Sequence, residues 1–222
     1  ANSIYSQRVS FDATIENQVV IGNDFYFDLF LSSTSANDLY LGNSQFLLTF
    51  NNEAFTSPTI SREGVSYWNL TSTNNISVGS LYRTNTIVSV ENNKIIIQIN
   101  QVTIGDQNDF NDNIAKIGNQ VSTHRIGRYK VSGISNTSTS MDLQWIWMAN
   151  VELHSKVSTI AIVEPWLATE TSGNWVGIDS QPLPVELTSL SAKQNGNKVN
   201  ISWQTKTELN NYGFDVERKA KS

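Results

Sequence analysis

The 222-residue sequence contains no cysteine. Neither disulfides nor thiolate metal sites can hold this fold, so its stability has to come from buried apolar area. Charge is scarce too, at 16% of residues against roughly 25% in an average globular protein. Asn, Ser and Thr stand in its place, and a solvent face wetted by amides and hydroxyls is common in secreted β-proteins. The net charge is −5, with Lys and Arg scattered until the last segment. That leaves no cationic surface to neutralise a phosphate backbone and argues against a nucleic-acid partner. No apolar run approaches the roughly 18–20 residues of a membrane span; the longest are pieces as short as Ile95 to Ile97. The only histidines, His124 and His154, lie far apart and lack paired-ligand spacing. With no GxSxG elbow, Gly-rich phosphate loop or Walker pattern, nucleophilic and nucleotide chemistry lose their usual support.

What the chain does have is a 39% hydrophobic fraction, enough for one sizeable core with a small satellite domain. Alternation of period two runs almost throughout, and a helical period is nearly absent. Val9, Phe11, Ala13 and Ile15 alternate with polar residues, as do Phe25, Phe27, Leu29 and Leu31, then Phe46, Leu48 and Phe50. Such spacing predicts strands with one buried face. Further strands are predicted at Ser66–Leu70, Thr86–Val90, Lys94–Val102, Arg128–Ile134, Leu143–Met148 and Thr159–Val163. Glu91, Asn92 and Asn93 form a hairpin turn between two of them. The one helical turn expected lies around Asn111 to Ile117. Short, closely spaced strands point to an all-β fold, a large antiparallel β-sandwich of jelly-roll type, rather than a parallel α/β fold.

Pro182 and Pro184 follow a polar stretch from Thr169 to Ser180. Two prolines so close stiffen the chain and remove ladder donors, so they predict a boundary between a sandwich over 1–181 and a partial module over 182–222. Beyond it, Val185 to Ala192 alternates, Asn195 and Gly196 turn the chain, Val199, Ile201 and Trp203 form a second strand, and Tyr212, Phe214 and Val216 a third. Three strands cannot cover their own apolar side chains. Either the chain has been cut, or Leu187, Ile201, Trp203, Tyr212, Phe214 and Val216 are expected to pack on the first domain or on another chain.

The stretch from Leu183 to Lys219, with its LPVELTSL opening, ISWQT strand and ELNNYGFDVER strand, resembles the start of the fibronectin type III-like module that precedes the sorting domain in type IX secretion substrates. The resemblance implies an exported protein, released or displayed at the cell surface. A start at Ala1 fits a mature chain whose signal peptide has been removed, and a cropped chain would look the same. The larger segment resembles cohesin-type and carbohydrate-binding sandwich modules at Phe25 to Leu31, and at Leu41, Gly42, Asn43 and Ser44 followed by Phe46 to Asn51. That resemblance implies sandwich architecture and no particular binding residue.

Three candidate sites remain. Tyr67, Trp68, Trp166 and Trp175, flanked by polar residues or Pro, are the aromatics best placed to stack on a glycan, although core or interface packing is the favoured expectation for each. Asp106, Asp109, Asn111 and Asn113 supply clustered oxygen ligands, the last three with the alternation of a calcium loop. Ile114 and Gln120, however, occupy the positions where an EF-hand has Gly and Glu, so a solvated turn is the simpler expectation and no cofactor is expected. Glu152, Glu164 and Glu170 cannot be paired into a hydrolase site from sequence. The expectation is thus a secreted, non-catalytic structural protein that self-associates through its strands into a filament or surface layer. Its rival is a cohesin-like or glycan-binding module of a larger secreted protein.

Overall fold

A computed structural model describes residues 9–118, 124–135, 140–146, 155–162, 168–176, 187–196 and 198–205. The chain is all-β, with strands β1 (Ser10–Ile21), β2 (Asp24–Ser33), β3 (Leu39–Tyr40), β4 (Ser44–Thr49), β5 (Phe55–Arg62), β6 (Thr86–Glu91) and β7 (Lys94–Ile99) in its first half. They are followed by β8 (Lys116–Ile117), β9 (His124–Ile134), β10 (Gln144–Trp145), β11 (Val157–Ile160), β12 (Ala168–Trp175), β13 (Leu187–Asn195) and β14 (Lys198–Thr205). One six-stranded sheet runs β11-β12-β1-β2-β9-β5 and a four-stranded sheet runs β10-β4-β7-β6. Their inner faces meet in one core, where Phe11, Ala13, Phe27, Leu29, Ile126, Tyr129 and Val131 lie with Phe46, Leu48, Ile95, Ile97 and Ile99. The alternation of β1, β2, β4 and β7 therefore reads directly as core against solvent.

Both seams between the sheets are closed. On one side β4 meets β11 through a double hydrogen bond, Gln45 N to Lys156 O at 2.8 Å and Lys156 N to Gln45 O at 2.7 Å. On the other, where β5 faces β6, the Arg62 guanidinium donates to the carbonyls of Arg83 and Thr86. Arg83 returns the contact with Nε on the Glu63 carbonyl at 2.6 Å. Backbone bonds on one side and arginine side chains on the other thus stand where edges would otherwise lie open, which protects them from pairing with other chains.

Several sequence expectations are corrected. The polar stretch from Thr169, for which no strand was predicted, forms β12 and pairs in parallel with β1, Ser10 opposite Ser172 through Ala13 opposite Trp175. The sandwich is therefore not purely antiparallel. Residues Ser66–Leu70 form no strand; a 3-10 turn occupies Val65–Tyr67. The helical turn expected at Asn111 to Ile117 instead belongs to α2, Gln107–Asn113, capped by the Asp106 carboxylate on the Asp109 amide at 2.9 Å. A second helix, α1 (Gly79–Thr84), was not anticipated. The expected strand at Leu143–Met148 shrinks to β10, while Trp147 and Met148 lie outside the described residues.

Gly173 explains how β12 can lie against β1: a Cβ there would sit 2.4 Å from the Phe11 carbonyl oxygen and 2.5 Å from its ring. Because one of these neighbours is backbone, Gly173→Ala is expected to push the strands apart and cost about 1–3 kcal/mol. Urea unfolding followed by tryptophan fluorescence would measure it. A change below about 0.5 kcal/mol, the ordinary size of a surface substitution, would contradict the tight strand contact.

Candidate functional site

The site starts from β13 and β14, which form a two-stranded sheet of their own. Gly196, at φ +59, belongs to the turn that joins them. Across the ladder Leu190 stands opposite Trp203, Ala192 opposite Ile201 and Gln194 opposite Val199. The other face pairs Ser189 with Gln204, Ser191 with Ser202, Lys193 with Asn200 and Asn195 with Lys198. One face is thus apolar apart from Gln194, and the other is entirely polar, closed by a 2.7 Å bond between the Ser191 and Ser202 hydroxyls. The apolar face is nevertheless solvent-exposed: Leu190 at 69%, Val199 at 60% and Ile201 at 40%, with Trp203 among them at 39%.

Of the six residues expected to form an assembly surface, Ile201 and Trp203 lie together on this face. Leu187 is paired opposite Thr205, while Tyr212, Phe214 and Val216 lie outside the described residues. Leu190 and Val199, the two most exposed members, were not anticipated. The signal for Leu190 was hidden by a bulge between Leu187 and Ser189, which shifts the register by one residue. That shift brings Leu190 and Ala192 to the face of Ile201. Strict alternation from Val185 would have put them on the opposite one.

Burying the still-exposed parts of Leu190, Val199 and Ile201 would contribute on the order of 3–5 kcal/mol. Association costs about 4–15 kcal/mol in lost freedom, so the apolar strip alone cannot hold a partner firmly. Charge is unevenly divided along the chain. Residues 187–222 carry six Lys and Arg against three Asp and Glu, a net +3, whereas residues 1–186 carry nine against 17, a net −8. Within the hairpin the only charges are Lys193 and Lys198.

The fold is similar to that of the seventh ScaB type I cohesin from Pseudobacteroides cellulosolvens, at 13% sequence identity and a TM-score of 0.44, over 78% of this chain and 94% of that chain. No family model matches the sequence, and no curated protein matches it. Identity this low transfers no residue role.

The aromatic candidates for glycan stacking scatter over the sandwich. Trp68 is buried at 3% exposure with its ring edge-on to Tyr129 at 6.1 Å, so it offers no face to a sugar. Tyr67 is already covered by two guanidinium groups, Arg125 at 4.9 Å and Arg128 at 5.3 Å from the ring centre. Trp175 packs with Trp145 at 5.0 Å, Phe11 at 5.1 Å and Phe46 at 5.9 Å. Trp166 lies outside the described residues. The three described residues build no common planar row.

The calcium-like alternation is taken up by helix structure. Asp106 caps α2, Asp109 accepts the Gly105 amide at 2.9 Å, and the helix runs through Asn111 to Asn113. Among the described residues no group of three His, Cys, Asp or Glu side chains converges on a point. His124 is half-buried and accepts the Gly118 amide at 3.3 Å. Burial lowers its pKa, against a smaller opposing effect from the Asn69 backbone. His154 and the carboxylates Glu152 and Glu164 lie outside the described residues. No helix among the described residues is long and apolar enough to cross a membrane.

Proposed function

We propose that this chain is a non-catalytic protein-binding β-sandwich module of an exported protein, docking through the apolar face of the β13–β14 hairpin. The partner is a protein surface that offers an apolar strip. The observation that carries the reading is the exposure of Leu190, Val199 and Ile201 on one face of a two-stranded sheet, with Lys193 and Lys198 on the other. A hairpin of two strands is marginal by itself in water, and contiguous exposed apolar surface is characteristic of interaction sites. An extracellular or cell-surface location rests on the type IX secretion resemblance of Leu183 to Lys219 and on the amide-rich surface.

A photo-cross-linking amino acid placed at Ile201, compared with one at Asn200 on the polar face, tests the reading in the full chain displayed by its producing cells. Protein adducts from position 201 and few from position 200 are expected. Equal yields from the two faces, or adducts only within the same molecule, would remove the hairpin as a docking surface. Affinity electrophoresis on soluble glycans separates the glycan-binding alternative, for which retardation is required.

A further inference from the structure

We infer that Asn195 is a self-modification site, where the side-chain carboxamide cyclises onto the Gly196 amide and the ring opens with water to aspartate and isoaspartate. The first support is the turn itself. The β13–β14 ladder ends at the pair Asn195 and Lys198, and Gly196 follows Asn195 at φ +59, a conformation that glycine adopts most cheaply. The turn thus calls for the one residue with no Cβ to crowd attack by its own nitrogen. Asn195 is the only asparagine of the chain that glycine follows.

The second support is that the reacting atoms are free. Asn195 and Gly196 are both exposed, and a Cβ placed on Gly196 would meet nothing within 4 Å. Among the described residues no hydrogen bond holds the Asn195 carboxamide or the Gly196 N–H. The turn's side-chain bond, Gln194 Nε2 to the Gly196 carbonyl at 3.1 Å, leaves both open. Other carboxamides are held: Asn43 Oδ1 accepts from Gln101 N at 2.7 Å, Asn17 donates to Asp28 at 2.8 Å, and Asn74 to Asp112 at 2.7 Å. Asn75 and Asn92 are followed by Ile76 and Asn93, whose side chains crowd the attacking nitrogen.

Once the Gly196 amide loses its proton, its nitrogen attacks Asn195 Cγ. The new N–Cγ bond replaces the bond from Cγ to the side-chain nitrogen, which leaves with the proton as ammonia. Water then cleaves the imide at one of its two carbonyls. Cleavage at Cγ gives aspartate; cleavage at the backbone carbonyl gives isoaspartate, with one extra carbon in the main chain. Ring closure requires Asn195 to leave its extended conformation, which the end of a two-stranded hairpin permits because such hairpins are marginal in water. Aspartate at this position faces Lys198 across the ladder. Isoaspartate lengthens one arm of a turn that sets the register, and so loosens the neighbouring Gln194–Val199 pair that places Val199 on the apolar face.

Incubating the purified full chain in heavy-oxygen water, then cleaving after Glu186 and Glu208 and weighing the 187–208 peptide, tests this. Label is expected at position 195 before any other asparagine, with isoaspartate as the main product. Its rate should rise from neutral to alkaline pH, because the amide must lose a proton. The folded chain should react within about tenfold of the urea-unfolded chain, equivalent to about 1.4 kcal/mol of turn closure. Asn195→Gln, which keeps Gly196 but would need a slower six-membered ring, should remove the label.

First labelling at Asn43 or Asn75 would overturn the assignment, as would label that persists in Asn195→Gln. A folded-state rate more than about a hundredfold below the unfolded one, about 2.8 kcal/mol of closure, would show that the ladder locks the turn and would overturn it too.

Discussion

Removing the Asp28 carboxylate by Asp28→Ala is expected to destabilise the sandwich by roughly 2–4 kcal/mol, near the lower side of breaking a buried ion pair. Asp28 sits on the outward face of β2, yet it is fully buried. Arg128 donates to one carboxylate oxygen at 3.1 Å, while Arg125 at 3.3 Å and Asn17 Nδ2 at 2.8 Å donate to the other. A bulge between Glu16 and Val19 of β1, with Asn17 at φ 51, accompanies the Asn17 contact. The arginines in turn lie over Tyr67, and Arg128 also over Tyr26 at 5.4 Å. Deleting the carboxylate would leave two guanidinium groups close together without their shared counter-charge. Because their side chains are 26% and 16% exposed, water moderates the penalty. Replacing all three groups by apolar residues, Asp28→Leu with Arg125→Met and Arg128→Leu, is expected to recover most of the loss. Urea unfolding measures both variants. A loss below about 1 kcal/mol for Asp28→Ala, the net value of an ordinary hydrogen bond, would show that the cluster is screened surface decoration.

The long strands of the core were legible because burial on one face enforces period two, as at Phe11, Ala13 and Ile15 or Phe25 to Leu31. The Asn92–Asn93 turn was legible for a local reason: both residues have positive φ, 48° and 64°, which asparagine tolerates best after glycine. Elements with weak periodicity escaped. β5 contains Pro58, which normally argues against a strand. The structure accommodates it through a register shift between Phe55 and Thr59, opposite Gly133 at φ +100. β12 reads ATETSGNW, with no apolar alternation. It pairs with β1, where Gly173 permits close approach and Trp175 anchors the end on Phe11. Neither feature is a property of the segment by itself.

For the candidate site, Ile201 and Trp203 were visible as alternating apolar residues, whereas Leu190 was not, because a bulge changes which face a residue occupies without leaving a compositional mark. The aspartates of 106–112 were conspicuous in the sequence, but their spacing fits two readings. A calcium loop and a capped helix both place oxygen atoms close together, and the bonds from Asp106 and Asp109 to backbone amides belong to the second.

Tyr82→Phe is expected to cost about 2–5 kcal/mol, since it leaves two buried backbone groups each losing a partner worth about 1–3 kcal/mol. The Tyr82 hydroxyl donates to the Leu41 carbonyl at 2.8 Å and accepts from the Ala115 amide at 3.0 Å. Leu41, Tyr82 and Ala115 are all fully buried, so solvent cannot replace the lost oxygen. The same burial raises the phenol pKa far above its ordinary value, against a smaller lowering by the Ala115 amide. The neutral hydroxyl is therefore the form that ties α1 to the chain segments leading from β3 and into β8. Those segments also bond directly, Leu41 N to the Ala115 carbonyl at 3.0 Å. Losing the hydroxyl should accordingly weaken the join without severing it. Hydrogen exchange should show the Ala115 amide losing protection beyond the global change, while Tyr40→Phe, at a half-buried ring against Phe110, should stay within about 0.5 kcal/mol. Equal, small effects from the two substitutions would mean that Tyr82 acts through its ring alone.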